Sequence, residues 1–186
     1  MSKRKLLVVV DMQNDFITGT LANKEGQAIV GKMAEYIRNF KGDVIATQDT
    51  HGGNYLDTQE GKNLPVVHCI AGTEGWQIVP EIDKALKEVP MNGGASSRIS
   101  KYTFGSTQLG QTIVERGYEE VELCGVCTDI CVISNAMLIK AFDREIKITV
   151  LKDLCAGVTP ESHETALKAM AACQIAVKDA GRNGGT

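Results

Sequence analysis

Hydrophobic positions along the chain follow two different periods, and segments of the two kinds alternate. Short continuous apolar runs rich in β-branched residues predict buried strands. These runs cover residues 6–10, 44–47, 88–91, 120–124 and 146–151. Between them, apolar residues return every three or four positions, which predicts helices with one buried face. These helical patterns cover residues 26–40, 78–86, 106–116, 128–143 and 160–173.

The alternation of strands and helices predicts an α/β fold. We expect three layers, with a mostly parallel sheet between helices on both faces, in a Rossmann-like arrangement. The helix over residues 106–116 should turn Leu109, Ile113 and Val114 inward. Pro160 suits the first turn of the last helix, where a missing N–H costs little.

Composition narrows the class of protein. A chain of 186 residues favours one domain, over residues 1–186. It is 43% hydrophobic and 23% charged with a net charge of -3 and no basic block, which argues against nucleic-acid and membrane-surface partners. No apolar run approaches the roughly 18 residues of a membrane span.

Basic residues precede the first apolar run, as they do in export signals, but that run is only five residues long. We therefore expect a buried strand there and a cytoplasmic protein. Its six cysteines are then expected to be reduced thiols. The tail AGRNGGT is expected to fray.

One segment does not fit the alternation. Residues 48–74 are irregular and rich in Gly, Asn, Asp and Thr, and loops of that length in compact domains are usually functional or disordered. Ligands of open α/β sheets bind at the carboxyl ends of the strands. That rule selects three places: Asp11, the loop that begins at Gln48, and the loop at Gly125.

The third place carries the sequence GVCTDICV, residues 125–132, directly after a strand. Thr128 is a plausible N-cap of the next helix, which would put Cys131 in the first turn, where the helix dipole lowers the pKa of a thiol. Three interpretations compete: buried core cysteines, a metal or iron–sulfur ligand set, and a single nucleophile at Cys131. The ligand set is weak, since the pleat of the strand fixes the direction of Cys124 and no fourth ligand is evident.

A nucleophile needs a base, and Asp11 of DMQNDF ends the first strand at the same edge of the sheet. Lys101 in SRISKYTFGST is a candidate third member. If it points inward, its cation should keep both Asp11 and the Cys131 thiol ionised near neutral pH. Alone, each residue would more often be structural or solvated.

The irregular segment contains a second set of polar residues. Asp49 and His51 form an Asp-x-His pair that presents two ligands on one side of an extended strand end, and Glu60 and His68 could complete a metal site. Surface histidines remain the alternative. His163, in contrast, lies in the helical stretch SHETALK and is interpreted as solvated or packed.

Together these motifs resemble the isochorismatase-like cysteine hydrolases, and among them the nicotinamidase/pyrazinamidase branch, over essentially the whole chain. The resemblance implies Asp11, Lys101 and Cys131 as catalytic residues. It implies a cis peptide bond between Val126 and Cys127, with the N–H groups of Cys127 and Cys131 as the oxyanion hole.

The resemblance also implies a divalent metal ion, zinc or alternatively manganese or iron, held by Asp49, His51, Glu60 and His68. Phe16 matches the family aromatic that lies against the substrate ring, and Tyr102 is carried over as a further substrate contact. The segment before His68 lacks an aromatic residue often found in the branch, because Asn63, Leu64 and Pro65 stand there.

The resulting hypothesis is a cysteine amidohydrolase acting on a small primary amide, with nicotinamide favoured, through a thioester. The alternatives are a related hydrolase for another amide, a carbamoyl compound or isochorismate, and a non-enzymatic iron–sulfur or interaction protein. The expected partner is a small-molecule amide, and a homo-oligomer stays open.

Overall fold

The computed structural model describes residues 4–181, and in that part the chain forms one six-stranded parallel sheet flanked by helices. The strands are β1 Lys5–Val10, β2 Asp43–Asp49, β3 Ser96–Lys101, β4 Glu120–Val126, β5 Lys147–Ala156 and β6 Ala176–Lys178. The helices are α1 Asn14–Ile17, α2 Lys24–Asn39, α3 Gln59–Asn63, α4 Pro80–Glu88, α5 Thr107–Glu115, α6 Ile133–Phe142 and α7 Pro160–Ala172. The predicted α/β class is confirmed.

The strand order β3-β2-β1-β4-β5-β6 places β1 and β4 at the centre. The chain leaves β1 toward one side of the sheet and later returns to the other, so the order reverses between these two strands. The side chains of β1 from Leu6 to Val10 are 0–1% exposed, as their continuous apolar pattern predicts. The expectation of one domain over residues 1–186 stays a prediction.

Close contact between β1 and β4 depends on Gly125. Its φ is +123°, and a Cβ atom there would lie 2.1 Å from the carbonyl oxygen of Val10. Only glycine fits that approach. This pairing brings the ends of β1 and β4, with Asp11 and the GVCTDICV motif, to one place.

Two local predictions, a strand at residues 88–91 and an inward Val114, were wrong, and a third was right in extent but not in the type of its first turn. Residues 88–91 were expected to be a strand, but Val89–Asn92 is a 3-10 turn and the third strand is Ser96–Lys101. The helix predicted over residues 128–143 begins as a π-helical turn, Thr128–Val132, before α6. Val114 is 48% exposed rather than inward, whereas Leu109 and Ile113 are buried.

Two further expectations concern the C-terminal tail and membrane-spanning segments. Most of the tail expected to fray, residues 182–186, lies outside the described residues. Across residues 4–181, no helix combines the length and the apolar character that crossing a bilayer requires.

Candidate active site

Asp11 follows β1 directly and is fully buried. Its φ is +49°, a left-handed conformation that Asp tolerates better than most residues. The Asp11 N–H donates to the Thr47 carbonyl oxygen at 3.2 Å, and the Thr47 hydroxyl donates to Asp11 Oδ1 at 2.7 Å. This backbone turn and its anchor on β2 hold the carboxylate over the sheet edge.

Lys101 ends β3 and pairs in register with Asp49 at the end of β2. Its side chain is 0% exposed, and its ammonium lies 2.7 Å from Asp11 Oδ2 and 3.0 Å from Asp49 Oδ1. The same nitrogen lies 3.5 Å from Cys131 Sγ. An acid, an amine and a sulfur from distant parts of the chain therefore meet at one edge of the sheet.

The two oxygens of Asp11 have different surroundings. Oδ1 accepts the Thr47 hydroxyl, whereas Oδ2 faces Lys101 as an ion pair and accepts no directed hydrogen bond from the residues that the structure describes. A buried carboxylate oxygen with a free lone pair can take a proton from a neighbouring thiol.

Cys131 lies in the π-helical turn Thr128–Val132, four residues after the peptide bond between Val126 and Cys127. That bond is cis, as the resemblance implied. The carbonyl oxygen of Cys127 accepts the N–H groups of Ile130 and Val132, both at 3.1 Å. Thr128 does not act as the predicted N-cap, because the residue in that position is Cys127, with no side-chain cap.

The charge state of Cys131 differs from the sequence prediction. Burial, then the charge of Asp11, raises the pKa of the Cys131 thiol well above its ordinary value, although Lys101 acts in the opposite direction. The prediction of a lowered thiol pKa is therefore wrong. Burial also raises the pKa of Asp11, against the charge of Lys101. Both shifts are in the direction that favours a neutral thiol and makes the Asp11 carboxylate a stronger base toward the thiol proton.

Lys101 keeps its charge in this environment. Burial alone would lower the pKa of Lys101, but the charges of Asp11, Cys131 and Asp49 together raise it. A permanent cation therefore faces whichever of Asp11 and Cys131 carries the negative charge.

A second group of side chains lies next to Lys101. Its members are Asp49, His51, Glu60 and His68. Each offers one possible ligand atom, and these four atoms all lie within 4.8 Å of one another. His51 Nε2 is 2.9 Å from Asp49 Oδ2 and 3.6 Å from Glu60 Oε1. His68 Nε2 is 3.6 Å from Asp49 Oδ2 and 3.9 Å from Glu60 Oε1.

The donor set of this second group fits a divalent metal ion. Two imidazole nitrogens and two carboxylate oxygens are ligands that zinc and other first-row metals accept. His68 Nδ1 lies 2.7 Å from the Val66 carbonyl oxygen, which fixes the proton on Nδ1 and leaves Nε2 as a free ligand atom. Burial alone would raise the pKa of Asp49, but the hydrogen bond from His51 and the charge of Lys101 hold that pKa well below its usual range.

A cavity of about 460 Å³ opens over both groups. Its lining residues are Phe16, Leu21, Ala22, Asn23, Lys24, Glu25, Asp49, Glu60, Leu64, His68, Phe104, Cys127, Ile130, Cys131 and Val158. Phe16 also packs against the His68 ring at 5.5 Å. Tyr102 is 77% exposed and does not line the cavity, whereas its neighbour Phe104 does.

Sequence reasoning missed two buried or partly buried polar residues that hold the second group in place. Gln13 is fully buried and makes two bonds to the backbone of Asp49, accepting its N–H at 2.7 Å and donating to its carbonyl oxygen at 2.9 Å. Asp15 accepts the N–H of Cys69 at 2.7 Å, next to His68. Both belong to the DMQNDF motif, so polar residues directly after a buried strand were the available signal.

The three cysteines in and just before GVCTDICV, which are Cys124, Cys127 and Cys131, do not form a cluster. Cys124 is fully buried in the core, with its sulfur 3.8 Å from the Val8 carbonyl oxygen, while Cys131 faces Lys101. Within residues 4–181, the three sulfurs do not form a metal-ligand group. This geometry contradicts the iron–sulfur alternative.

Comparison with known proteins gives a consistent result. Residues 5–181 match the isochorismatase domain family. A nicotinamidase/pyrazinamidase of Mycobacterium tuberculosis is 31% identical over 181 residues, covering 92% of this chain and 96% of that protein. A nicotinamidase of Saccharomyces cerevisiae is 27% identical, covering 80% of this chain and 86% of that protein. The solved pyrazinamidase of Pyrococcus horikoshii in complex with zinc is similar, with a TM-score of 0.78, 30% identity and coverage of 95% of this chain and 99% of that one.

Proposed function

Because the chain belongs to the isochorismatase domain family, we propose that it hydrolyses the carboxamide of nicotinamide to nicotinate and ammonia. Two relatives named for that activity match 92% and 80% of the chain, which supports this substrate. The observation that carries the proposal is the position of Lys101, whose ammonium contacts Asp11, Asp49 and Cys131 beneath one cavity.

Acylation begins with proton transfer inside the buried pair. Asp11 takes the proton of the Cys131 thiol, and the sulfur attacks the carbonyl carbon of the amide. The oxyanion that forms faces the N–H groups of Cys127 and Cys131, which serve as donors for the developing charge. The C–N bond then breaks as Asp11 returns its proton to the nitrogen, and ammonia leaves a thioester on Cys131.

Deacylation reverses the roles of the same groups. Asp11 accepts a proton from water as the water oxygen attacks the thioester carbon. The C–S bond breaks, the proton passes from Asp11 to sulfur, and the product forms as a carboxylic acid that releases its own proton to bulk water. Lys101 stabilises negative charge on Asp11 or on sulfur throughout, since it lies within 3.5 Å of both.

The ring of the substrate is oriented by the rest of the cavity. Asp49, His51, Glu60 and His68 would hold a divalent ion, for which we propose zinc, with manganese or iron as alternatives. Such an ion would supply a Lewis-acidic site for a ring nitrogen, and the four residues that hold it would thereby help to orient the carboxamide. Phe16 offers an apolar face beside that position. The role carried over to Tyr102 stays a prediction.

Ammonia release from nicotinamide and from benzamide by the purified protein tests this proposal. Benzamide has the same shape but no ring nitrogen, so we expect a much lower kcat/KM for it. Asp11→Asn should reduce kcat about 10²- to 10⁴-fold, as for loss of a general base. Cys131→Ala should abolish turnover, while Cys173→Ala, at an exposed thiol, should not change it.

The opposite results would reject parts of the proposal. Turnover by Cys131→Ala would exclude the thioester. Release of ammonia only from other amides or carbamoyl compounds would keep the cysteine chemistry and exclude nicotinamide. Cleavage of isochorismate alone would exclude amide hydrolysis through a thioester.

A further inference from the structure

Asn135 is a fully buried polar residue in the first turn of α6. It lies four residues after Cys131, one helical turn further along, and its exposed fraction is 0%. Burying an amide costs free energy unless its donors and acceptor find partners, so its hydrogen bonds reveal what it holds.

The amide of Asn135 connects two segments of the chain that both belong to the site. Its Nδ2 donates to the carbonyl oxygen of Cys131 at 2.8 Å and to that of Phe104 at 3.2 Å. Its Oδ1 accepts the N–H of Ser106 at 3.0 Å. One side chain therefore joins the backbone of the nucleophile to the loop that follows Lys101.

That loop, residues 102–106, positions two groups of the site. The Lys101 ammonium donates to the Thr103 carbonyl oxygen at 3.1 Å, and Phe104 lines the cavity. The loop also runs against α6, because a Cβ atom on Gly105 would lie 2.5 Å from Leu138. Tyr102 and Phe104 are exposed at 77% and 45%, so their side chains do little to hold the loop in place.

We propose that Asn135 is a positioning residue that fixes the Cys131 sulfur relative to the Lys101 ammonium and the Phe104 wall. It acts through the carbonyl oxygens of Cys131 and Phe104 and the N–H of Ser106, not through the substrate. This inference rests on the proposed amide hydrolysis, where a displacement of about 1 Å between reacting groups can cost about 100-fold in rate.

The neighbouring residue provides a matched control. The Ser134 hydroxyl donates to the Ile130 carbonyl oxygen at 2.6 Å, also a bond to the residue four positions earlier. Ser134 does not bridge to residues 102–106 through a hydrogen bond among the described residues. Its loss removes a local helix bond and leaves the connection to the loop intact.

The test compares Asn135→Asp with Ser134→Ala by kcat and KM for nicotinamide, the rate at which iodoacetamide alkylates Cys131, and Tm. The aspartate keeps an oxygen that can accept the Ser106 N–H. It replaces the Nδ2 donor with a second oxygen, which faces the carbonyl oxygens of Cys131 and Phe104 and cannot donate to them. We expect kcat to fall about 10- to 100-fold with little change in KM, and alkylation of Cys131 to slow. Ser134→Ala should keep the wild-type kcat and the wild-type rate of Cys131 alkylation.

Wild-type kcat and alkylation rate in folded Asn135→Asp would overturn the inference, and so would an equal loss of kcat in Ser134→Ala at similar Tm. If Asn135→Asp does not fold, Asn135→Ser is used instead. Its shorter hydroxyl can bond the Cys131 carbonyl oxygen but cannot reach the loop. It should show the same loss of kcat, and wild-type kcat in this variant would overturn the inference.

The alkylation readout separates this inference from the proposed function. If the wild-type protein releases no ammonia from nicotinamide, the proposed function fails. Slower alkylation of Cys131 in Asn135→Asp than in Ser134→Ala would still support the positioning role, and equal rates would still overturn it.

Discussion

Cys131 illustrates what a residue type alone can and cannot predict. The motif that carries it, together with the family resemblance, predicted it as the nucleophile, and the structure places its sulfur and Asp11 against the Lys101 ammonium. Its protonation state was mispredicted because the sequence indicates a helix start and a nearby cation but not the degree of burial. Burial is the first cause of the raised thiol pKa, and it depends on the packing of the whole site.

Glu60 provides a test of the metal group at the scale of one residue. In chelator-treated protein, added zinc should raise Tm, because an ion that binds only the folded state stabilises it. Glu60→Gln removes one charged ligand and should weaken binding at least about tenfold, or about 1.4 kcal/mol. The zinc-induced rise in Tm should then be about 3–6 °C smaller than in the wild type.

The control for Glu60 is Glu74→Gln. Glu74 lies in the same irregular segment and is exposed, and its contact with Asn14 uses its backbone carbonyl oxygen. The substitution changes the net charge by the same amount, and the zinc-induced rise in Tm should match the wild type. If zinc raises Tm equally in the wild type, Glu60→Gln and Glu74→Gln, Glu60 is not a ligand of the metal ion.

Among the structural elements, the π-helical turn Thr128–Val132 could not be foreseen. Its apolar residues Ile130 and Val132, with Ile133 directly after it, fit an α-helical pattern equally well, so periodicity does not distinguish a π-helical from an α-helical turn. π-helical turns are rare and frequent at functional sites, and this one needs anchors from outside itself. Asp129 Oδ1 accepts the Val158 N–H at 3.1 Å, and Thr128 Oγ1 lies 2.8 Å from His163 Nδ1.

His163, interpreted from sequence as solvated or packed, is therefore expected to stabilise the nucleophile turn. Thr128 is 0% exposed, so His163→Ala leaves a buried hydroxyl without this partner. We expect the free energy of unfolding in urea to fall by about 1–3 kcal/mol. Thr165→Ala on the same helix removes only an exposed bond to the Glu161 carbonyl oxygen and should stay within about 0.5 kcal/mol of the wild type. Equal stability of His163→Ala and wild type would contradict this role.

The errors among the strands have a common cause. β3 reads SSRISK, and only Ile99 in it is a buried apolar residue, because an edge strand has less core to face. The run at residues 88–91 is apolar but contains Pro90, which breaks strand pairing, and it forms a 3-10 turn. Central strands, apolar on both faces, were predictable from pattern, whereas edge strands were not.

At the scale of the whole molecule, sheet order decides which residues meet. The rule that ligands bind at the carboxyl ends of parallel strands selected the ends of β1, β2 and β4 from sequence, and the observed order makes these strands neighbours. Exact side-chain partners, such as Asn135 with the loop after Lys101, depend on the register and packing of distant segments and carry no local signal.

The cysteines make the stability of the whole molecule sensitive to alkaline pH. Burial is the first cause that raises the pKa of Cys124, Cys127, Cys131 and Cys155, to about 12 for Cys127 and for Cys155. Thiols of the unfolded chain ionise near about pH 8.5, so stability is fully present below that pH and falls as pH rises toward the folded values. Each thiol contributes a slope of up to about 1.4 kcal/mol per pH unit.

Urea unfolding at about pH 8 and about pH 10, in the presence of a reductant, measures this effect. The free energy of unfolding should be lower at the higher pH. Cys155→Ala should lose less over the same interval, because one fewer thiol ionises on unfolding. An unchanged free energy between the two conditions would contradict the prediction.

Asp49 serves two neighbours with its two oxygens, Oδ1 toward Lys101 and Oδ2 toward the histidines. Replacing Asp49 with a neutral residue removes one negative charge both from the surroundings of Lys101 and from the group of proposed metal ligands. A variant at position 49 that loses turnover therefore says nothing about which of the two was damaged. Any exchange at this position therefore alters the surroundings of the Lys101 ammonium and of the two histidines at once.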